Sequence, residues 1–315
     1  REIEDAVHSA CRAPSFHNSQ PWSWVLESTT LKLFLDPDQL VDTDSSGRQA
    51  LLSCGAALDH LRVVMAARGW DTLVDRFPNP NNRNHLADIE FRPSVGVTPA
   101  QRRDAEAVAT RRSDRLPYDP VENLSAFEMM LRLAVDDRPT HVDLIAPHDR
   151  AKVAQASHLA EALRMYDTAY HAELDWWTAP FEYVEGIPRS SLTSAQETGR
   201  VTVNRNFPAE GNRRRRPHIG DDRAVVLVLS TPEDTYRDAL HCGETLSTVL
   251  LECTAAGHAT CPVTHVTEIP SARSVVAAML PRAGVPQALI RVGRTPELED
   301  SPPMTPRRDI ADILR

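Results

Sequence analysis

Arg111, Ser113 and Arg115 alternate in the stretch Thr110-Arg111-Arg112-Ser113-Asp114-Arg115-Leu116-Pro117. In an extended chain, alternate side chains share a face. This spacing would present two guanidinium forks and a hydroxyl together, a set suited to phosphate. A solvated basic face paired with neighbouring acids has the same composition. A second segment, Ala13 to Trp22, holds Ser15, Asn18 and Gln20 between the stiffening prolines Pro14 and Pro21. It offers donors and acceptors at fixed places, and an ordinary Asx or Ser turn would look alike. Other candidates are poorer. His171 with Glu173, and His258 with His265, lack the tight ligand set of a zinc site, and Ser190 and Ser191 have no evident His–Asp partnership. No metal site and no catalytic side chain are expected. Neither GxGxxG nor GxxxxGK[ST] occurs, so no glycine-rich phosphate cradle is expected.

The polar turn lies between a helix over roughly Glu2–Cys11 and a strand over Trp22–Glu27. Further along, the chain resembles itself. Cys54-Gly55 leads to Leu58 and Gly69, and Cys242-Gly243 leads to Leu246 and Gly257, all at one offset. Leu58, Leu61 and Met65 recur at helical spacing, as do Leu246, Val249 and Cys253. Each copy reads as a long buried helix closed by a glycine. Strand-like 86–91 and 287–292 follow the two helices, and 141–146 answers 22–27. The expectation is an α+β chain of two tandem related halves, 1–105 and 106–315, dividing near Val97–Arg102. Chance local similarity is the alternative. The second half carries an insertion at about 170–220, between a helix over His158–Trp177 and a strand over Ala224–Leu229. It contains Trp176, Trp177, Phe181, Tyr183 and the basic run Arg213–Arg216. Loops of that length are usually lids or disordered, and the aromatics favour a packed lid.

Composition narrows the classes. The 315 residues hold 35 Lys and Arg against 44 Asp and Glu, a net charge of −9, with 41% hydrophobic residues. That excludes wholesale disorder and argues against nonspecific nucleic-acid binding, which needs positive charge. No uninterrupted apolar run approaches the roughly 18 residues of a membrane span, and REIEDAVHSA does not read as a signal peptide. Cys11, Cys54, Cys242, Cys253 and Cys261 form no CxxC pair and read as free buried thiols. A soluble, cytoplasmic protein is expected.

Taken together, CRAPSFHNSQPW (Cys11–Trp22), TRRSDR and MTPRRDIADIL (Met304–Leu314) resemble the FMN-dependent nitroreductase family, in particular its duplicated mycobacterial Acg-type NAD(P)H nitroreductases. The resemblance implies a nitroreductase-like fold in which the two halves form a pseudo-dimer within one chain. It implies FMN, with Arg111, Ser113 and Arg115 at the phosphate and ribityl region. Pro14, Ser15, Phe16 and Asn18 would reach the flavin, with His17 and Gln20 as further candidates. Near the C-terminus Arg308 fits one position of a basic pair; Pro306 stands at the other, so Arg307 would compensate. The loop with Thr264 and His265 would give a backbone N–H to flavin N5, although His265 replaces the usual glycine. The first half keeps the Pro14–Asn18 turn without an RxSxR stretch. The second keeps RxSxR, while Ala134–Thr140 stands where its turn would be. One intact FMN site per chain, formed between the halves, and one decayed site follow. The implied activity is NAD(P)H-dependent reduction of a small nitroaromatic or quinone acceptor, with the flavin doing the chemistry. The alternative is an FMN-sequestering or sensing protein whose lid blocks access. No nucleic-acid or membrane partner is expected, and a fused dimer favours a monomer.

Overall fold

The structure, a computed structural model, describes residues 1–136, 138–179, 184–296 and 302–315. Phe181 and Tyr183 of the expected lid, and Asp137 of the Ala134–Thr140 stretch, lie outside them. In chain order the elements are α1 (Glu2–Ala10), β1 (Trp22–Glu27), β2 (Thr30–Leu35), α2 (Arg48–Ala67), β3 (Trp70–Arg76), β4 (His85–Pro93), α3 (Pro99–Thr110) and α4 (Leu124–Val135). Then come β5 (His141–Leu144), α5 (Arg150–Arg164), α6 (Thr168–Trp177), α7 (Ala195–Thr198), β6 (Val225–Thr231) and α8 (Tyr236–Ala255). The chain closes with β7 (Ala259–Val263), α9 (His265–Glu268), α10 (Pro270–Ala277), β8 (Val285–Gly293) and α11 (Ile310–Ile313).

Two compact units are interleaved along this order. The first comprises Arg1–Arg111, Thr235–Ala255 and Pro306–Arg315; the second comprises Arg112–Asp234 and Ala256–Thr305. α8 and the last ten residues pack with the first unit.

In the first unit an antiparallel sheet runs β1-β2-β4-β3. Its core holds Trp22, Trp24, Leu31, Leu33, Leu86 and Ile89 against Leu58 and Leu61 of α2. Burying such side chains stabilises by about 1.5–3 kcal/mol each. α2 is long and apolar enough to cross a membrane, yet most of it is buried inside the protein. It packs on α8 through the two repeated glycines. A Cβ on Gly55 would stand 2.1 Å from the Leu240 carbonyl oxygen, and one on Gly243 would stand 2.1 Å from that of Leu52. Glycine is needed here because the backbones themselves touch. Cys54 and Cys242 beside them are buried and form no disulfide among the described residues. His60 Nδ1 of α2 lies 2.8 Å from Ser247 Oγ of α8, and Arg76 at the end of β3 makes a bidentate pair with Glu244 of α8 at 2.6 and 2.7 Å. Burial opposes the Glu244 charge, but hydrogen bonds from His241 and Arg76 outweigh it and bring the carboxyl to about 2.

In the second unit the sheet runs β5-β6-β8-β7, the same order by position. Both sheets are irregular at their central pair, between Leu33 and Phe34 and between Leu229 and Ser230. The continuous helix expected over His158–Trp177 is instead two, α5 and α6. Asp167 accepts from the Tyr170 N–H and starts α6 afresh, as N-cap aspartates do. The described part of the insertion is not structureless. α7 has a capping box in which Ser194 and Glu197 exchange hydrogen bonds, and Leu192, Val201, Val203 and Ile219 are buried.

Candidate functional site

Between α1 and β1, the turn expected from Pro14, Ser15, Asn18 and Gln20 is a tight and unusual one. His17, Asn18 and Gln20 all take left-handed backbone conformations (φ 52°, 60° and 53°). Non-glycine residues hold such conformations where their surroundings over-determine them, which is commonest at functional sites. Here the constraints are identifiable. Ser15 Oγ accepts from the Gln20 N–H at 3.1 Å, and the Phe16 N–H donates to Ser53 Oγ on α2 at 3.0 Å. The C-terminal segment closes the turn from the other side. Asn18 Nδ2 donates to the Pro306 carbonyl (3.3 Å), and Gln20 Oε1 accepts from the Arg308 N–H (2.9 Å). Arg308 also reaches the Gln20 carbonyl and pairs with Asp36 at 3.1 Å. The Asn18 and Gln20 amides and the Arg308 guanidinium thus brace the turn. Pro14, Ser15 and Phe16 are half-buried along it.

Three arginines converge beside that turn. Arg111 caps the C-terminus of α3, its backbone leaving the helix at φ −57° and ψ 131°. It is buried; Nη2 donates to the Arg12 carbonyl at 3.3 Å, while Nε and Nη1 have no hydrogen-bond partner among the described residues. Arg307 donates from Nε to the Cys11 carbonyl (2.8 Å) and from Nη2 to the carbonyls of Arg12 and Ala13 (3.2 and 3.3 Å). Burial, then the charge of Arg12, pulls Arg111 down to about 10. Burial, then Arg12 and Arg111, pulls Arg307 down to about 9. His60, fully buried in the same unit, is pushed well below its ordinary value by burial and then by Arg111 and Arg307, and is neutral. A buried guanidinium with open donors among like charges is the electrostatics of an anion site.

The remaining expected residues belong to the second unit. Ser113 forms an isolated bridge with Thr260, and the Asp114 N–H donates to the Thr260 carbonyl at 2.9 Å. Arg115 stacks on Phe207 of the insertion, its guanidinium carbon 5.0 Å from the ring centroid. Thr264 Oγ1 donates to Glu268 at 2.7 Å, and His265 Nε2 sits 2.8 Å from Ser157 Oγ. Burial, then Arg205 and Arg164, keeps His265 neutral. Arg205 binds the Glu268 carboxylate and the Tyr170 hydroxyl, and Arg164 lies 3.2 Å from Glu268. The structure therefore gathers Arg111, Arg307 and Arg308 with the 14–20 turn in one unit, and places Ser113, Arg115, Thr264 and His265 in the other.

Sequence reasoning missed Arg12 and His60. Arg12 directly precedes the turn, and its basic type next to a phosphate-like set was a usable signal. A histidine in the middle of an apolar helix gave none. The basic run Arg213–Arg216 divides. Arg213 and Arg214 are exposed, whereas Arg215 pairs with Glu197 at 2.8 Å and buried Arg216 with Asp114 at 2.5 Å.

No protein-family model matches the chain. The Mycobacterium tuberculosis (strain H37Rv) protein named "Putative NAD(P)H nitroreductase acg" is 53% identical over 313 residues, spanning 99% of this chain and 95% of its own. Rv3131, an NAD(P)H nitroreductase by name from the same strain, is 37% identical over 317 residues, spanning 99% and 90%. The chain belongs to the nitroreductase family. Among solved structures, the FMN- and NADPH-dependent nitroreductase NfnB from sphigopyxis sp. strain HMH aligns with a TM-score of 0.43 at 16% identity, over 67% of this chain and 97% of that one.

Proposed function

We propose that this chain binds FMN and is an NAD(P)H-dependent oxidoreductase of the nitroreductase type, reducing a small nitroaromatic or quinone acceptor. The observation that carries the reading is Arg111: a buried guanidinium beside Arg12 and Arg307, two of whose nitrogens have no hydrogen-bond partner among the described residues. A phosphate monoester fits this set, because its oxygens accept from several forks at once and its charge relieves their mutual repulsion. Arg111 and Arg307, joined by Arg12, would take the phosphate. Pro14, Ser15, Phe16, His17 and Asn18 would line the flavin, with Gln20 and Arg308 holding that turn in shape. Ser113, Arg115, Thr264 and His265 complete the proposed cofactor-binding set. Bound FMN supplies two-electron transfer from the nicotinamide to the acceptor, and the protein's part is to hold and orient it.

One flavin per chain is part of the proposal. In the second unit Arg164 and Arg205 meet Glu268, so those two arginines already have a counter-charge. A tandem duplication is supported by the shared strand order and by Cys-Gly at the seventh and eighth positions of two 20-residue helices. A cytoplasmic, monomeric protein fits five free buried thiols and a fused dimer.

A second reading is favoured by the packed insertion, whose Phe207 covers Arg115: a flavoprotein shielded from acceptors, with little turnover. The test is the visible spectrum of the purified protein, followed by anaerobic NADPH. A yellow protein that bleaches within seconds supports the oxidoreductase. Yellow without bleaching supports the shielded flavin, and failure to bind added FMN removes both.

A further inference from the structure

We propose that the insertion is a fixed clamp on the Ser113–Arg115 loop, with Arg216 and Phe207 as positioning residues that set flavin affinity, rather than a door over the flavin. The inference rests on the proposal that Ser113 and Arg115 bind FMN.

Arg216 is 4% exposed and holds a left-handed backbone, φ 52°. Arginine takes that conformation only when its surroundings dictate it. Its guanidinium grips Asp114 with both arms, Nη1 at 3.2 Å and Nη2 at 2.5 Å, and Nη1 also donates to the Pro117 carbonyl at 3.3 Å. Asp114 stands between the two proposed flavin residues. It is fixed again from its own side: its N–H donates to the Thr260 carbonyl, Oδ1 accepts from the Leu116 N–H at 3.0 Å, and its carbonyl accepts from the Tyr118 hydroxyl.

Behind Arg216 the insertion is braced in turn. Arg200 donates to the carbonyls of Arg215, Arg216 and Ile219 at 2.7–2.9 Å. Arg215 binds both oxygens of fully buried Glu197, which is itself held in the α7 capping box. A chain of charge-assisted bonds therefore runs from α7 through Arg215 and Arg216 to the loop. Beyond the ion pair, Phe207 lies against the Arg115 guanidinium and limits its rotamers. Opening such a segment would break the Arg216–Asp114 pair together with the bonds that Arg200 and Arg215 make behind it. Segments that open cheaply have few buried contacts and solvent-exposed hydrogen bonds, the reverse of this one.

The experiment compares full-length wild type with Phe207→Ala, Arg216→Ala, Arg216→Lys and Arg111→Ala. Flavin fluorescence quenching gives the FMN affinity, displacement gives its release rate, and anaerobic NADPH under saturating FMN gives the reduction rate of bound flavin. The clamp predicts about tenfold weaker FMN binding for Phe207→Ala and more for Arg216→Ala, carried by faster release. Arg216→Lys recovers part of it, and the reduction rate of bound flavin does not rise. Phe207→Ala leaves the ion pair intact, so it decides the matter if Arg216→Ala does not fold. Unchanged affinity in Phe207→Ala and in every folded Arg216 variant, with FMN binding lost in Arg111→Ala, overturns the clamp and leaves the cofactor reading standing. Faster flavin reduction in Arg216→Ala or Phe207→Ala overturns the clamp in favour of a door. FMN binding as tight in Arg111→Ala as in wild type, or absent from wild type, overturns the cofactor reading and the clamp together.

Discussion

Two groups of buried arginines in this molecule behave in opposite ways. Arg164, Arg205 and Arg291 in the second unit meet carboxylates, Glu268 for the first two and Asp222 for the third. Burial opposes the charges of Arg205 and Arg291, but the attached carboxylates outweigh it and both are held above the ordinary value. Arg111 and Arg307 in the first unit donate to backbone carbonyls and are held below it, by burial and by neighbouring guanidinium charge. The residue type is the same, and so is the desolvation. What differs is the partner seen at each: carboxylates at Arg205 and Arg291, backbone carbonyls at Arg111 and Arg307. Under the proposed function, the contrast separates Arg205 and Arg291, which hold the fold together, from Arg111, which takes the phosphate.

The contrast breaks most visibly at Glu268. Glu268→Gln should destabilise the protein by about 3–5 kcal/mol, because Arg164 and Arg205 would keep their burial and lose their partner; urea unfolding monitored by circular dichroism measures this. Arg111→Met should do the reverse, leaving stability in the absence of flavin unchanged or improved while weakening FMN about a hundredfold. A flavin titration alongside the same unfolding curve reads both, and a stability loss as large as that of Glu268→Gln would erase the distinction.

A smaller effect comes with pH. Arg307 and Arg111 are depressed to about 9 and about 10, well below the value of a guanidinium in the unfolded chain. Without flavin, the native protein binds fewer protons than the unfolded chain between those values. Their charge therefore costs stability below about pH 9, and the cost is relieved as pH rises through the folded values. FMN affinity should move the opposite way, falling from about pH 9 upward as the guanidiniums lose charge, whereas Arg111→Met should flatten part of that fall. The smallest effect is expected from inorganic phosphate, which should raise the midpoint of thermal unfolding in proportion to its occupancy of the cradle. It should do so in wild type and not in Arg111→Met.

The sequence made the turn legible because its chemistry is local. Prolines flank it, and Ser15, Asn18 and Gln20 are the residue types that bond their own backbone. The two long helices were legible for a similar reason, since their period and closing glycines lie within the helices themselves; Gly69 and Gly257 indeed take positive φ. The arginine cradle was legible only in part. Arg111 had the right type, but alternation with Ser113 and Arg115 suggested one shared face, and the chain passes from one unit to the other just after Arg111. Arg12 joins the cradle because Pro306–Arg308 returns to the turn nearly 300 residues later, a long-range event that no local pattern encodes. The break between α5 and α6 was misread for the opposite reason. Helical periodicity ran on past Asp167, whose capping role a local reading could have weighed more heavily.

The exchange of α8 into the first unit reaches into how the protein is made. A ribosome delivers the chain from the N-terminus, so Arg1–Arg111 emerges first, with the α2 face that awaits Gly243 still bare. That face stays bare until α8 has followed, and the polar turn gains its last braces only with Pro306–Arg308. The first unit is thus begun before the second and completed only after it. A fragment ending near Arg111 would carry most of the arginines and the turn, but an unsatisfied apolar helix in place of a closed core.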